Sequence, residues 1–203
     1  FRSPVFVIDS EVSDTEAVVS TIVSDNYDAG VQCAKDMMKK KTSANIIIVN
    51  QKALNSINER VKGFRDTIKG HPQYKIVEEK ESAAEFEIAM KVMEKIIYEK
   101  KNYDVVMGGN DPIALGCIAA MQMTDKTDQV MVYGVDGSPD GKAMIKAGFL
   151  EGTAAQSPIK IGEKAVQTAY SYLAGETVKK HVTIPVELIT ADNLKFYDMT
   201  GWQ

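Results

Sequence analysis

Long runs of positive charge are missing from this chain of 203 residues. No run of Lys or Arg exceeds Lys39-Lys40-Lys41, and the formal net charge is −4. That argues against a nucleic-acid surface and against a polybasic membrane patch. No apolar run approaches the ~20 residues that a membrane-spanning helix needs. Cysteine is nearly missing too: Cys33 and Cys117 each fall on the apolar side of a helical pattern. They read as small buried hydrophobes rather than as a disulfide or metal pair, which leaves the redox compartment open. The two histidines, His71 and His181, flank turn or strand ends and fit no metal or triad spacing. No serine sits in a Gly-x-Ser-x-Gly elbow. Gly108-Gly109-Asn110 lacks the later glycines of a dinucleotide fingerprint and the Lys-Ser/Thr pair of a P-loop. Asp136–Gly141 imitates the first half of an EF-hand loop, but Ala147 stands at the twelfth position, where a carboxylate is required. The sequence thus offers no catalytic apparatus, no metal site and no cofactor motif.

What is present is an ordinary globular composition, 44% hydrophobic and 26% charged, able to bury one large core or two modest ones. Strand-like and helix-like stretches alternate with short connections. Val5–Ile8, Val18–Val23, Ile46–Val49, Tyr74–Glu78, Tyr103–Gly109, Val130–Asp136 and Leu150–Ala155 have the apolar character and length of strands. The tail Val182–Thr190 reads as one more strand, interrupted by Pro185. Between them Gly30, Cys33, Ala34, Met37 and Met38 recur at helical spacing, as do Phe86, Ala89, Met90, Met93, Ile96 and Ile97. Ser56 and Glu59 form a capping-box pattern ahead of the stripe Ile57, Val61, Phe64, Ile68. Asp111-Pro112, Ser138-Pro139 and Ser157-Pro158 each place a capping residue before a helix-opening proline. The expectation is an α/β fold with a mostly parallel, doubly wound sheet. The chain opens without Met, and Phe1-Arg2-Ser3-Pro4 leads at once into a strand, so it reads as starting in mid-domain.

Planar polar residues close the separate strands: Asp9, Asn50-Gln51, Asn110-Asp111, Asp136 and Gln156. In α/β proteins the carboxyl ends of parallel strands are where ligands are gripped. Flat amides and carboxylates can each meet two neighbouring hydroxyls, which suits a sugar or polyol. Strand ends also need polar termini for their own sake, and Asp111 is an N-cap by position with or without a ligand. Pattern alone leaves both readings open.

Taken in order, Val7-Ile8-Asp9, Ser24-Asp25-Asn26 with Gly30, Asn58–Phe64, Gly109-Asn110-Asp111 with Ala114-Leu115-Gly116, Gly134–Gly141 and Gln156 resemble the ribose-binding-type periplasmic binding proteins. The likeness runs over essentially the whole chain. It implies the type I fold: two doubly wound parallel-sheet lobes, joined by a three-segment hinge, with a monosaccharide or similar polyol held between them. By that likeness residues 1–24 and 157–185 form an incomplete N-terminal lobe, and residues 25–156 and 186–203 form the C-terminal lobe. Asp9, Arg60, Asn110, Asp136 and Gln156 would hydrogen-bond the sugar, and Phe86 would stack on it. Ser10 and Asp111 are further candidates. Away from a ligand, Phe86 reads as the first core residue of its helix and Arg60 as a surface residue paired with an acid. The family's Asp is commonly followed by Arg, whereas Asp9 is followed by Ser10 and Glu11. Losing a guanidinium removes charge-assisted contacts worth about 1.5–3 kcal/mol each, which speaks against a simple ribose specificity. An Asp-Ser pair also resembles receptors for a furanosyl signalling molecule.

The function so implied is that of an extracytoplasmic solute-binding protein, in the periplasm or lipid-anchored at the cell surface, whose partners are the sugar and the membrane subunits of an ABC transporter. The alternatives are the effector core of a LacI-like regulator or a sugar-sensing receptor domain. An incomplete first lobe would leave Val5–Ile8 and Ile161–Leu173 uncovered, so a second polypeptide completing it, self-association or local disorder is expected.

Overall fold

The computed structural model describes residues 3–124 and 130–203, so Phe1 and Arg2 of the expected first segment lie outside the described residues. Among the described residues nine strands and six α-helices alternate. They are β1 (Phe6–Ile8), β2 (Ser20–Ser24), α1 (Asn26–Lys40), β3 (Ala44–Asn50), α2 (Asn55–Ile68), β4 (Tyr74–Glu81), α3 (Phe86–Tyr98), β5 (Val105–Gly108), α4 (Asp111–Gln122), β6 (Met131–Asp136), α5 (Pro139–Lys146), β7 (Gly152–Ala155), α6 (Pro158–Leu173), β8 (His181–Ile184) and β9 (Glu187–Thr190). The α/β class expected from the alternation is the class observed.

The strands divide between two sheets. A three-stranded sheet runs β1-β2-β8, all parallel, and a six-stranded sheet runs β4-β3-β5-β6-β7-β9. Within the larger sheet only β9 is antiparallel, pairing with β7 so that Ala155 faces Glu187. From β3 the chain steps outward through α2 to β4, then back across through α3, α4 and α5. Right-handed crossovers in opposite directions place helices on both faces of the sheet. α1 packs on α2 and α3 on α4. Covered on both sides, Ile46, Ile47, Ile48, Val105, Val106 and Met107 are fully buried, as parallel strands with two packed faces should be. The small sheet carries α6 against β1 and β2, and its core is the cluster Ile22, Ile161 and Ile184.

The chain passes between the sheets three times: after β2, after β7 and between β8 and β9. The tail expected to be one interrupted strand is therefore two strands in different sheets. Pro185 sits at the break because it cannot donate a ladder hydrogen bond. Two capping expectations are also corrected. α2 begins at Asn55 with Leu54 as its N-cap and no side-chain cap, so Ser56 falls inside the first turn and the Ser56–Glu59 box does not form. In α4 the N-cap is Asn110, whose Oδ1 accepts from the Ile113 N–H at 3.0 Å. Asp111 is thus the first helical residue rather than the cap. At α5 the expectation holds: Ser138 Oγ accepts from the Gly141 N–H at 3.0 Å. Ser157 is the N-cap of α6, but its side chain makes no capping bond. Both cysteines are free and buried, and burial pushes the Cys117 thiol up to about 12, as fits small core residues.

Candidate functional site

Arg60 sits on α2, one turn past its start, and is placed there by an unusually close helix contact. A Cβ at Gly30 of α1 would overlap the Arg60 carbonyl, and one at Gly63 would overlap the carbonyl of Tyr27. Glycine at both positions lets the two helix backbones touch. The Arg60 side chain then lies along the end of α1, 4% exposed. Its Nε donates to Asn26 Oδ1 at 2.9 Å, and its Nη1 donates to the Gly109 carbonyl at 3.0 Å and to Asp136 Oδ1 at 3.4 Å. Burial overturns the expectation of a surface arginine.

The polar chain continues through Asp136. Gln156 Nε2 donates to Asp136 Oδ1 at 2.8 Å, and Ser24 Oγ donates to Gln156 Oε1, also at 2.8 Å. Five side chains from the ends of β2, β6 and β7 and from α1 and α2 are thereby linked in the order Ser24, Gln156, Asp136, Arg60, Asn26. Ser24 belongs to the small sheet and Asp136 to the large one. The Asp136 carboxylate, which can only accept, takes the NH2 of the Gln156 amide and leaves its Oε1 to the Ser24 hydroxyl. Asp136 has φ of +144°, followed by Gly137 at +69°. A non-glycine residue held there stores about 1–3 kcal/mol of backbone strain, and such strain clusters at ligand clamps.

Burial raises the Asp136 carboxyl to about 6, with the charge of Asp111 adding to the rise. The Arg60 guanidinium and the Gln156 amide oppose it. Burial prevails because Arg60 meets this carboxylate at 3.4 Å while also serving Gly109 and Asn26. The site thus holds an incompletely compensated carboxylate beside a guanidinium that keeps its second terminal nitrogen free of hydrogen bonds among the described residues. Such a pair can accept from one hydroxyl and donate to the next.

Asp111, a candidate from the sequence, is turned away from this use. It is fully buried, and its carboxylate accepts from the Ser138 N–H at 2.9 Å, from Ser138 Oγ at 2.6 Å and from Thr153 Oγ1 at 2.6 Å. Burial raises its pKa against the pull of those three bonds. It ties β7 and the start of α5 to α4, directly behind Asp136. Asn110 spends its oxygen on the cap and directs Nδ2 at the Ala84 carbonyl at 3.5 Å, a long contact that leaves the amide N–H groups nearly free. Asn50 faces the edge strand instead, giving Nδ2 to Glu79 at 2.6 Å.

Phe86 opens α3 two residues beyond Ala84 and is 39% exposed. It is not the core residue its periodicity suggests, since the core of α3 begins at Ala89. Asp9 follows β1 with φ of +72°, and its side chain is exposed, accepting among the described residues one hydrogen bond, from Ser10 Oγ at 3.4 Å. The register pairs Ile8 with Ile22, so Asp9 lies about one strand spacing, ~4.8 Å, from the last residues of β2. Its backbone N–H donates to the Ile22 carbonyl at 3.0 Å, and its side chain stays outside the hydrogen-bonded chain. Next to it Glu11 links the small sheet to the start of α2, accepting from Asn55 Nδ2 at 2.7 Å and facing His181 Nδ1 of β8 at 3.2 Å.

The structure therefore joins Arg60, Asp136 and Gln156 directly, sets Asn110 next to the Gly109 carbonyl that Arg60 holds and engages the Asp111 carboxylate elsewhere, while Phe86, Asp9 and Ser10 make no hydrogen bond to this set among the described residues. Ser24 and Asn26 are the members that the strand-end reading missed. Their only signal was Ser24-Asp25-Asn26 at the close of a strand. Among the described residues no group of His, Cys, Asp and Glu is arranged to hold a metal.

A sequence profile of the periplasmic binding protein domain matches residues 3–177. The chain is 31% identical over 189 residues to the ribose import binding protein of Escherichia coli, covering 92% of this chain and 62% of that protein. It is 32% identical over 200 residues to the D-apiose import binding protein of Paraburkholderia graminis, covering 97% and 64%. Among solved structures it is similar to an ABC transporter solute binding protein from Bacillus halodurans with bound myo-inositol. That match has TM-score 0.89 and 25% identity, over 96% of this chain and 68% of the other. The myo-inositol binding protein of Caulobacter matches with TM-score 0.86 and 27% identity, over 94% and 67%. The chain thus spans less than two thirds of the length of the two import proteins.

Proposed function

The chain belongs to the periplasmic binding protein domain family, and from that premise we propose that it binds a neutral monosaccharide or cyclic polyol as the extracytoplasmic solute-binding component of an ABC importer. The observation that carries the reading is the linked set Ser24, Gln156, Asp136, Arg60 and Asn26, gathered from both sheets at strand and helix ends. The ribose, D-apiose and myo-inositol named for its relatives are all neutral polyhydroxylated molecules of one size class, and they support it.

On this reading the two sheets are the centres of two lobes, residues 1–24 with 157–185 and residues 25–156 with 186–203, and the three passages between them are the hinge. The larger lobe supplies Arg60, Asn110, Asp136 and Gln156, with Phe86 as an apolar platform at the edge. The smaller lobe supplies Asp9 and Ser10. A ligand touching both groups favours the closed arrangement by its differential affinity, and closure is what the transporter's membrane subunits read. Asp9, Ser10 and Glu11 present oxygen acceptors on that side, so hydroxyl donors are welcome there and a sugar acid is disfavoured. Hydrogen bonding and stacking suffice for binding, so the role needs no cofactor and no chemical step.

Calorimetric titration of the intact protein with D-ribose, D-apiose, myo-inositol, D-allose and D-glucuronate tests the reading. At least one neutral ligand is expected to bind saturably at micromolar concentration or below, and glucuronate is expected not to. Absence of saturable heat for every neutral member contradicts the proposal.

A further inference from the structure

The strained turn that aims Asp136 is tethered, group by group, to a single buried carboxylate. Asp136 ends β6 with φ of +144°, and Gly137 follows at +69°. Such backbone persists only where its surroundings over-determine it. The N–H groups that follow Asp136 supply that hold, and each tether leads to Asp111. The Ser138 N–H donates to Asp111 Oδ2 at 2.9 Å. The Gly137 N–H donates to Thr153 Oγ1 at 3.0 Å, and that hydroxyl donates to Asp111 Oδ1 at 2.6 Å. The Gly141 N–H donates to Ser138 Oγ at 3.0 Å, and that hydroxyl donates to Asp111 Oδ2 at 2.6 Å. Asp111 also reaches Asp136 itself, since its backbone N–H meets Asp136 Oδ2 at 3.4 Å.

The surrounding chain leaves room for this carboxylate and for little else. A Cβ at Gly134 of β6 would overlap Asp111 Oδ1, and one at Gly141 of α5 would overlap Asp111 Oδ2. Asp111 and Thr153 are both fully buried. Burying a carboxylate is costly, and capping does not account for it, because Asn110 already caps α4. An amide would not serve in its place. Asp111 Oδ2 takes two donors, so an Asn oxygen would settle there and turn its NH2 toward Thr153. That hydroxyl, already accepting from Gly137, would lose the acceptor for its own proton.

We propose that Asp111 is a positioning residue for ligand binding: acting through Thr153 and Ser138, its carboxylate holds the Asp136–Gly137 turn in the conformation that aims Asp136 at Arg60, Gln156 and the sugar. The sugar's place here rests on the function proposed above, whereas the hold on the turn rests on the hydrogen bonds alone. Asp111 therefore serves the site from beneath it, without touching the ligand.

Thr153→Val removes the linking hydroxyl at nearly constant shape, and Thr153→Ser restores it. Sugar-free crystal structures of both variants read the turn. Calorimetric titration with D-ribose, D-apiose, myo-inositol and D-allose reads binding, under conditions where unfolding curves show the variants folded. In Thr153→Val the Asp136 backbone is expected to leave positive φ and affinity to fall about tenfold. Thr153→Ser should return affinity to within about twofold of the parent. Asp111→Asn, where it folds, should behave as Thr153→Val does. A purely structural Thr153 would lower stability and leave the affinity of the folded variant unchanged. Asp136 still at φ near +144° in Thr153→Val, or affinity there equal to the parent's, overturns the proposal. If the parent binds none of the four, the sugar reading fails by itself. Relaxation of the turn in Thr153→Val then still supports the hold by Asp111, and an unmoved turn still overturns it.

Discussion

The large-sheet and small-sheet regions follow the same strand–helix grammar but close over themselves to very different extents. Around the large sheet a continuous core runs from Ala29 to Ile189, with helices on both faces. Around the small one, among the described residues, the buried cluster is Ile22, Ile161 and Ile184. Val5 and Ile8 near and at the end of β1, and Ile159, Val166, Tyr170 and Leu173 on α6, are 48–72% exposed. A parallel sheet ordinarily needs both faces covered. The proposed ligand contacts divide the same way. Arg60, Asp136 and Gln156 are locked into hydrogen bonds, with Asp136 also accepting from the Asp111 backbone N–H, whereas among the described residues the Asp9 and Ser10 side chains hydrogen-bond only to each other. One side of the grip is preorganised, and the other has freedom to adjust.

The largest test of that contrast exchanges Arg60 for Ala. It strands the buried Asp136 carboxylate and unpairs Asn26 and the Gly109 carbonyl. The expected loss is about 3–5 kcal/mol of stability, read by denaturant unfolding, together with loss of sugar binding. Asp9→Ala should weaken sugar binding by about tenfold or more while leaving stability within about 0.5 kcal/mol. Equal stability losses in the two variants would erase the distinction.

Next in size is the pH dependence. The Asp136 carboxyl titrates near 6 in the folded protein, above its ordinary value of 3.8, because burial penalises the charged form. Between those values the folded state holds more protons than the unfolded one, so stability falls as pH rises from about 4 to about 6 and then levels. Asp111 is shifted the same way by burial and adds to the slope. Asp136 alone accounts for on the order of 3 kcal/mol. Asp136→Asn should flatten most of the decline in unfolding curves recorded across this range.

Gly30→Ala probes how Arg60 is placed. The new methyl meets the Arg60 carbonyl, forcing α1 and α2 apart at an expected cost of about 1–3 kcal/mol, with weakened sugar binding despite no direct contact. The smallest effect is expected on the open side. Val166→Glu, at a position 56% exposed, should change stability by no more than about 0.5 kcal/mol. A loss well beyond that would mean that this face of α6 is covered in the protein tested.

The strand-and-helix alternation was legible because apolar runs such as Ile46–Val49 and stripes such as Ile57, Val61, Phe64, Ile68 carry their own periods. What escaped depends on partners distant in the chain. Nothing local to Val182–Thr190 says that its two halves join different sheets, since both ladders are made by strands elsewhere. Asn110-Asp111-Pro112 contains two competent caps, and the choice between them is settled by Ser138 and Thr153, which claim the Asp111 carboxylate. Ser24 and Asn26 looked like an ordinary strand exit, because Gln156 and Arg60, the groups they hold, are distant in sequence. Asp136 and Gln156 were legible as strand-end residues, and Arg60 through resemblance alone.

The most direct test of the two-sided grip is a crystal structure of the intact protein with a bound neutral sugar. The account predicts that ring hydroxyls meet Arg60, Asp136 and Asn110 on one side and Asp9 on the other, with the Arg60–Asn26 bond unchanged from 2.9 Å. A sugar bound away from these residues, or an Arg60 side chain swung out to reach it, would contradict it.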